Sequence, residues 1–413
     1  MRLVYKFITN QHKADVFELC RASKDLYNQA LYLIKTTLDT DGNFLFYNEV
    51  ERIMKVTTNL EGTINYKRLK AQVAQQTLKV LDKSISSYIS SIKDWSKHKD
   101  KYNGKPELPR YMRKNGYRQL IYTNQACTIK DGFIHLSKSL KISIPQWDKY
   151  KDDLINYQQV RINPLANMNY EVEIVYLTDD IGLNGYEGVA SIDLGVGNFA
   201  TMVSSEFQPI IYNGKQIKSL NQYFNKTISQ EKSELEKVNG YKSSKKIRKL
   251  WQKRNHTITD AFHKVSRHIV NLCLNHKIGT LIVGYNSGWK DSINMGRQNN
   301  QTFVMIPYLK FIQCLQYKCL MSGINLIINE ESYTSKCDSL ALETIEKHET
   351  YLGKRVKRGL FQSSKGKTIN ADVNGALNIM RKVIGDSEII SKIIDSGWLF
   401  QPSKLNDLYH LGL

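Results

Sequence analysis

Residues 189–203 read Val-Ala-Ser-Ile-Asp-Leu-Gly-Val-Gly-Asn-Phe-Ala-Thr-Met-Val, and this stretch decides how the chain folds. Val189–Ile192 is an apolar strand, and Asp193 stands at its carboxyl end. The small residues that follow can turn the chain back into a second strand, Phe199–Val203. Open α/β sheets bind ligands at the carboxyl ends of their strands. Asp193 is therefore either a functional carboxylate or an ordinary turn aspartate.

Downstream, helical text runs from about 215 to 277, followed by a strand Thr280–Val283, a helix over 307–322 and a strand Ile324–Ile328. Strands alternating with helices predict an α/β sheet. A last helix opens near Asp372, with Ala376, Leu377, Ile379, Met380 and Val383 at helical spacing and Asn370 before it. Asp372 in isolation could simply complement the helix dipole. Together with Asp193 and the acid pair Glu330 and Glu331, it gives carboxylates drawn from distant segments, as a two-metal phosphodiester-cleaving site requires. The segment beyond about 385 carries no readable motif.

Upstream, residues 2–8 alternate like a strand, and Leu26, Ala30, Leu31, Ile34 and Leu38 recur at helical spacing. A second amphipathic stretch places Leu78, Leu81, Ile85, Tyr88, Ile89 and Ile92 on one face, and 96–107 reads as a linker. Short strands follow at Gln119–Tyr122, Phe133–Leu136, Leu140–Ile144 and Tyr170–Tyr176. The first strand has no local partner, so it is expected to join this later sheet.

The 413 residues carry 59 Lys plus Arg against 39 Asp plus Glu, a formal charge of +20. That excess points to a polyanionic partner through counterion release. The six cysteines form no C-x-x-C pair and suit a reducing compartment. No signal-peptide core and no apolar run of membrane-spanning length is present, so a soluble, intracellular protein with no membrane partner is expected, cytoplasmic in a prokaryote and nuclear in a eukaryote.

Four ordered motifs carry a family resemblance: Ile192-Asp-Leu-Gly-Val-Gly-Asn, Gly284-Tyr-Asn-Ser-Gly-Trp-Lys, Tyr333-Thr-Ser-Lys-Cys and Asn370-Ala-Asp-Val-Asn-Gly-Ala-Leu-Asn-Ile. They resemble the RuvC-like nuclease of TnpB proteins, RNA-guided nucleases related to Fanzor proteins and type V CRISPR effectors. The resemblance extends to Leu108-Pro-Arg-Tyr and the short strands after it. It implies a multidomain α+β chain: a small β-barrel wedge domain (1–12 and 105–183) with an inserted helical recognition domain (13–104), an RNase H-like α/β RuvC domain (184–385) with an insert at 332–370, and a tail at 386–413.

Two departures from the family pattern matter. Most TnpB proteins end the central strand with the second catalytic glutamate, where this chain has Gly284. In an RNase H-like sheet the strands ending at 283 and near 328 would be parallel neighbours roughly 4.8 Å apart. An acid just past the second strand can reach the same metals. Glu331 is the first choice and Glu330 the second, since adjacent strand residues face opposite ways. Fanzor proteins and some TnpB groups carry a similarly displaced glutamate. The family's four-cysteine zinc ribbon is also missing: only Cys337 lies in 331–372, so no zinc is predicted and the insert is expected to be a basic loop.

The expected function is an RNA-guided DNA endonuclease of a transposable element, with a guide RNA and double-stranded target DNA as partners. Asp193, Glu331 and Asp372 would be the catalytic acids holding two Mg²⁺ ions. Predicted nucleic-acid contacts are Lys245, Lys246, Arg248, Lys249, Lys253 and Arg254 on an amphipathic basic helix, Arg110, Arg113 and Arg118 near the domain junction, and Lys354, Arg355, Lys357 and Arg358 in the insert. Trp289 reads as core packing. Gly284 keeps open an alternative, a nuclease-inactive guided DNA-binding repressor. The number of copies per guide is left open.

Overall fold

The computed structural model describes residues 1–411 apart from 138, 166–167, 180, 241–242 and 287–302. Trp289 and Lys290 therefore lie outside the described residues. The chain divides into two compact units, Met1–Asp179 and Asp180–Leu413.

In the first unit, strand β1 (Arg2–Thr9) is followed by helices α1 (Lys13–Asp41), α2 (Tyr47–Met54) and α3 (Ala71–Lys97). Strands β2 (Leu120–Thr123), β3 (Thr128–Lys130), β4 (Phe133–His135) and β5 (Lys141–Ser143) come next, then helix α4 (Trp147–Leu154) and strands β6 (Tyr157–Pro164) and β7 (Tyr170–Leu177). The first strand lies antiparallel to β7, with Arg2 opposite Leu177 and Thr9 opposite Tyr170. The hydrogen bonds define a four-stranded sheet, β1-β7-β6-β2, and a separate three-stranded sheet, β3-β4-β5, instead of one closed barrel. The helices pack directly on the four-stranded sheet. Leu26 and Leu31 of α1 and Leu78 and Leu81 of α3 share one core with Leu120, Val160 and Val172 of the sheet. A helix with a single apolar stripe must bury it against something, and here the sheet supplies the surface.

The second unit is built on strands β8 (Gly188–Leu194), β9 (Asn198–Ser204) and β10 (Ile210–Asn213), helices α5 (Lys215–Asn239) and α6 (Lys245–Asn275), strand β11 (Ile278–Gly284), helix α7 (Tyr308–Leu320) and strand β12 (Asn325–Asn329). The sheet order is β12-β11-β8-β9-β10-β16, where β16 is Ser403–Leu405. Strands β8, β11 and β12 are parallel, with β11 and β12 neighbours as expected and Gly284 opposite Asn329. Strand alternation sorts the side chains between two layers. Ala190, Ile192 and Leu194 face Phe262 and Val265 of α6 and Phe311 of α7. Val189 and Val203 face Ala376 and Met380 of helix α8 (Ala371–Ile384).

The tail is part of this fold. Helix α9 (Glu388–Asp395) buries Ile390 and Ile393 beside α8, β16 pairs in parallel with β10, and Leu408 enters the α6 and α7 layer. The insert is a folded hairpin sheet of β13 (Lys354–Lys357), β14 (Leu360–Gln362) and β15 (Thr368–Asn370), not a basic loop. All six cysteines are buried free thiols. Among the described residues no helix is long and apolar enough to cross a membrane.

Candidate active site

Asp193 lies on the same face of β8 as Ser191, whose Oγ donates to the Ala376 carbonyl at 2.6 Å and so ties the strand to α8. A Cβ built on Gly375 would stand 2.9 Å from Asp193 Oδ2, so the glycine lets α8 pass close to this carboxylate. Asp372 enters from the first turn of the same helix. Asn370 caps that turn, its Oδ1 accepting from the Asp372 N–H at 2.9 Å and the Val373 N–H at 3.3 Å. Asn198, the first residue of β9, donates Nδ2–H to Asp372 Oδ2 at 2.6 Å. The two aspartates are thereby linked through the β8–β9 turn.

Glu331 follows β12. Its Oε2 is buried without a hydrogen-bond partner among the described residues. Glu330 turns the other way, toward Lys382 Nζ at 2.8 Å. Burial first, and then the charges of Glu331 and Asp372, hold the Asp193 carboxyl well above the usual carboxylate range, with Arg355 opposing. Burial and then Glu330 push Glu331 up to about 7, against Lys382. Tyr308 lies in the same field: burial, Asp193 and Glu331 raise its phenol, which donates to the Gly195 carbonyl at 2.8 Å.

These residues fit a hard divalent cation in kind, since the donor set is all oxygen and one donor has a buried oxygen left unpaired. They do not form a closed cage: among the described residues no three acid, imidazole or thiol side chains are gathered tightly enough to hold one ion.

The insert approaches the site through β13. Arg355 Nη2 lies 3.3 Å from Asp372 Oδ1, and Arg358 Nη2 would be 3.7 Å from a Cβ at Gly197 in the β8–β9 turn. Lys354, Arg355, Lys357 and Arg358 are exposed. The segment after Glu331 is held by buried polar groups. Asp338 accepts from Ser363 Oγ at 2.8 Å, the Ser364 N–H at 2.7 Å and the Leu340 N–H at 3.1 Å. From α8, Asn378 Nδ2 donates to the Thr334 and Cys337 carbonyls at 2.8 and 2.7 Å, and Arg381 Nη2 to the Glu343 carbonyl at 3.0 Å.

The remaining predicted contacts divide by exposure. Lys245, Lys246, Arg248, Lys249 and Lys253 are exposed along the start of α6, with Lys246 paired to Glu231 at 2.5 Å. Arg254 is not among them. It is only 6% exposed and donates to Asn221 Oδ1 at 2.9 Å and to the Met305 carbonyl, because the helix turns that position toward the α5 side. In the first unit Arg110 is exposed and paired with Glu107 at 2.6 Å, and Arg113 is exposed. Arg118 is half-buried and stacks over the Tyr27 ring, 3.8 Å from its centroid. Sequence reasoning missed Asn198, Gly375, Asn378 and Arg381. The signal for Gly375 was available, since a glycine one turn inside an apolar helix needs a packing reason.

The family described as "Probable transposase" matches residues 184–290, and the one described as "Cas12f1-like, TNB domain" matches 308–379. The TnpB-like protein ORF457 of Acidianus two-tailed virus is 25% identical over 206 residues, 48% of this chain and 42% of the relative. The CRISPR-associated endodeoxyribonuclease Cas12f2 of a Micrarchaeota archaeon is 25% identical over 277 residues, 62% of this chain and 49% of the relative. The chain thus spans less than half the length of these curated relatives. A cryo-EM structure of a Cas12f1-sgRNA-target DNA complex has a TM-score of 0.52 at 15% identity, over 89% of this chain and 82% of that one, a likeness of fold.

Proposed function

We propose that this chain, which belongs to the TnpB and type V effector family, is an RNA-guided DNA endonuclease with a RuvC-like, RNase H-like catalytic domain. The observation that carries the reading is the Oε2 of Glu331, buried and unpartnered among the described residues, on a carboxylate whose charge bears on Asp193. Asp193, Glu331 and Asp372 would hold two Mg²⁺ ions, which when bound supply an activated water and stabilise the leaving oxygen. The protein's own part is placement. Gly375 admits the Asp193 carboxylate, Asn198 fixes Asp372, and no side chain has to act as a covalent nucleophile. Arg355 and Arg358 stand at the rim, where a scissile backbone would pass. We take the insert to be zinc-free, supported by the hydrogen bonds around Asp338 and Asn378 that hold it. The guide RNA would supply sequence specificity by pairing, and the exposed lysines of α6 would track phosphates.

The test is Mg²⁺-dependent cutting of a matched plasmid with a randomised flank, by protein co-expressed with its native flanking DNA. Wild type should cut, and Glu331→Ala should bind without cutting. Guide-dependent binding with no cutting by either would replace this reading with a guided repressor.

A further inference from the structure

We infer that Gly284 and Asn286, the end of the strand that lacks the glutamate, are positioning residues that form the seat for Glu331; the inference rests on the metal-site reading above.

Two independent contacts support it. The first is space. A Cβ built on Gly284 would stand 2.6 Å from Glu331 Oε2, below any normal contact. The carboxylate therefore lies where a side chain at 284 would begin. Every residue other than glycine carries that carbon, so a glutamate at 331 in this place and any side chain at 284 exclude each other. The same Cβ would be 3.1 Å from Ile379 Cγ1 and closer still to Cδ1, so α8 also occupies the space beside Gly284. The second contact is a hydrogen bond. Asn286 Oδ1 accepts from the Glu331 N–H at 2.9 Å, and the adjoining backbone continues the register, with the Tyr285 N–H donating to the Asn329 carbonyl at 2.9 Å. The last turn of β11 thus grips the first residues after β12 from both the side-chain and the backbone side.

Gly284 is accordingly more than a lost ligand. It is the condition under which the neighbouring strand can supply one. Because the overlapping Oε2 is the tip of a flexible side chain, adding a methyl group at 284 should displace the carboxylate and leave the fold standing.

Mn²⁺ binding, followed by the EPR signal of the free ion, gives a readout independent of cleavage. The variants are Glu331→Ala, Gly284→Ala, Gly284→Ala with Ile379→Val, Asn286→Ala, and Gly284→Glu with Glu331→Ala. Gly284→Ala should lose the same Mn²⁺ equivalent that Glu331→Ala loses, and cutting should fall roughly 100-fold. Relief of Ile379 should restore neither, which separates displacement of the ligand from crowding of α8. Asn286→Ala should raise the Mg²⁺ needed for half-maximal cutting roughly 10-fold and leave the rate at saturating Mg²⁺ within about 2-fold. If Gly284→Ala melts early, the double variant with Gly284→Glu decides. Recovered Mn²⁺ binding supports the seat, and none overturns it. Full Mn²⁺ binding by Gly284→Ala beside a deficient Glu331→Ala would overturn the seat and leave the nuclease reading intact. Wild-type binding by Glu331→Ala, or none by wild type, would overturn both.

Discussion

Asp193 and Glu331 bring their carboxylates toward one site from unlike supports. Strand β8 is paired on both edges and packed on both faces, by α6 and α7 on one side and α8 on the other. The segment after Glu331 has only three short strands; it buries Leu340, Phe361 and Ile369 in the α8 layer and is otherwise held through polar side chains: Asp338 gathers the Ser363 and Ser364 hydroxyls and three backbone N–H groups, and Asn378 and Arg381 reach its carbonyls from α8. One acid rests on apolar burial, which needs no particular partner, and the other on a smaller apolar contact supplemented by hydrogen bonds, each of which needs its own. Loss of a single polar atom should therefore loosen the second support and spare the first.

The largest expected effect tests whether both supports serve one reaction. Asp193→Asn and Glu331→Gln should each lower plasmid cutting by about 1000-fold or more, about 4 kcal/mol of barrier; a loss confined to one of them would separate the two regions in function as well as in structure.

A smaller effect concerns charge. The folded chain raises Glu331 from 4.5 to about 7. Between those values the folded state holds a proton that the unfolded state has released, so stability falls as pH rises through about 7 and recovers as pH drops toward 4.5. In EDTA-treated protein this contribution is on the order of 3 kcal/mol, and Asp193 adds in the same direction. Thermal melts from pH 8 to pH 5 should show the gain. Glu331→Gln should remove its share, and a flat profile in the wild type would contradict the burial of these acids.

The smallest effect is the most selective. Asp338→Ala leaves the Ser363, Ser364 and Leu340 donors without their acceptor and should cost about 2 kcal/mol, confined to the insert. Limited proteolysis should then cut within 332–370 while the sheet keeps its amide protection. Global unfolding at the same denaturant midpoint shift would mean that the two supports are one.

Much of this arrangement was legible in the sequence. Asp193 at the end of an apolar strand, Asp372 beside its Asn370 and the strands expected at 280–283 and 324–328 followed from periodicity and end signals, which are local, whereas their parallel pairing was implied by the family resemblance. The residue that faces differently from expectation, Arg254, lies in a basic cluster, where charge alone does not say which way a side chain turns. What the text could not show depends on distant partners. Ile210–Asn213 is a four-residue strand whose two neighbours are β9 and a segment near 404, and the folded insert rests partly on single polar contacts around Asp338 and Asn378 that leave no periodic trace. Gly284 read as a deficit because the atom that fills its space comes from residue 331.

The pairing of β10 with β16 has a consequence for how the protein is made. Asn213 and Asn406, bonded at 2.8 Å beside that pairing, are 193 residues apart. At ~5–20 residues per second on the ribosome, β10 waits about 10 to 40 s for its outer neighbour. During that interval one edge of an apolar sheet presents unpaired N–H and C=O groups, a template for pairing with other nascent chains. Production of this domain should thus depend on chaperone supply and on translation speed through residues 214–405 more than its final stability would suggest.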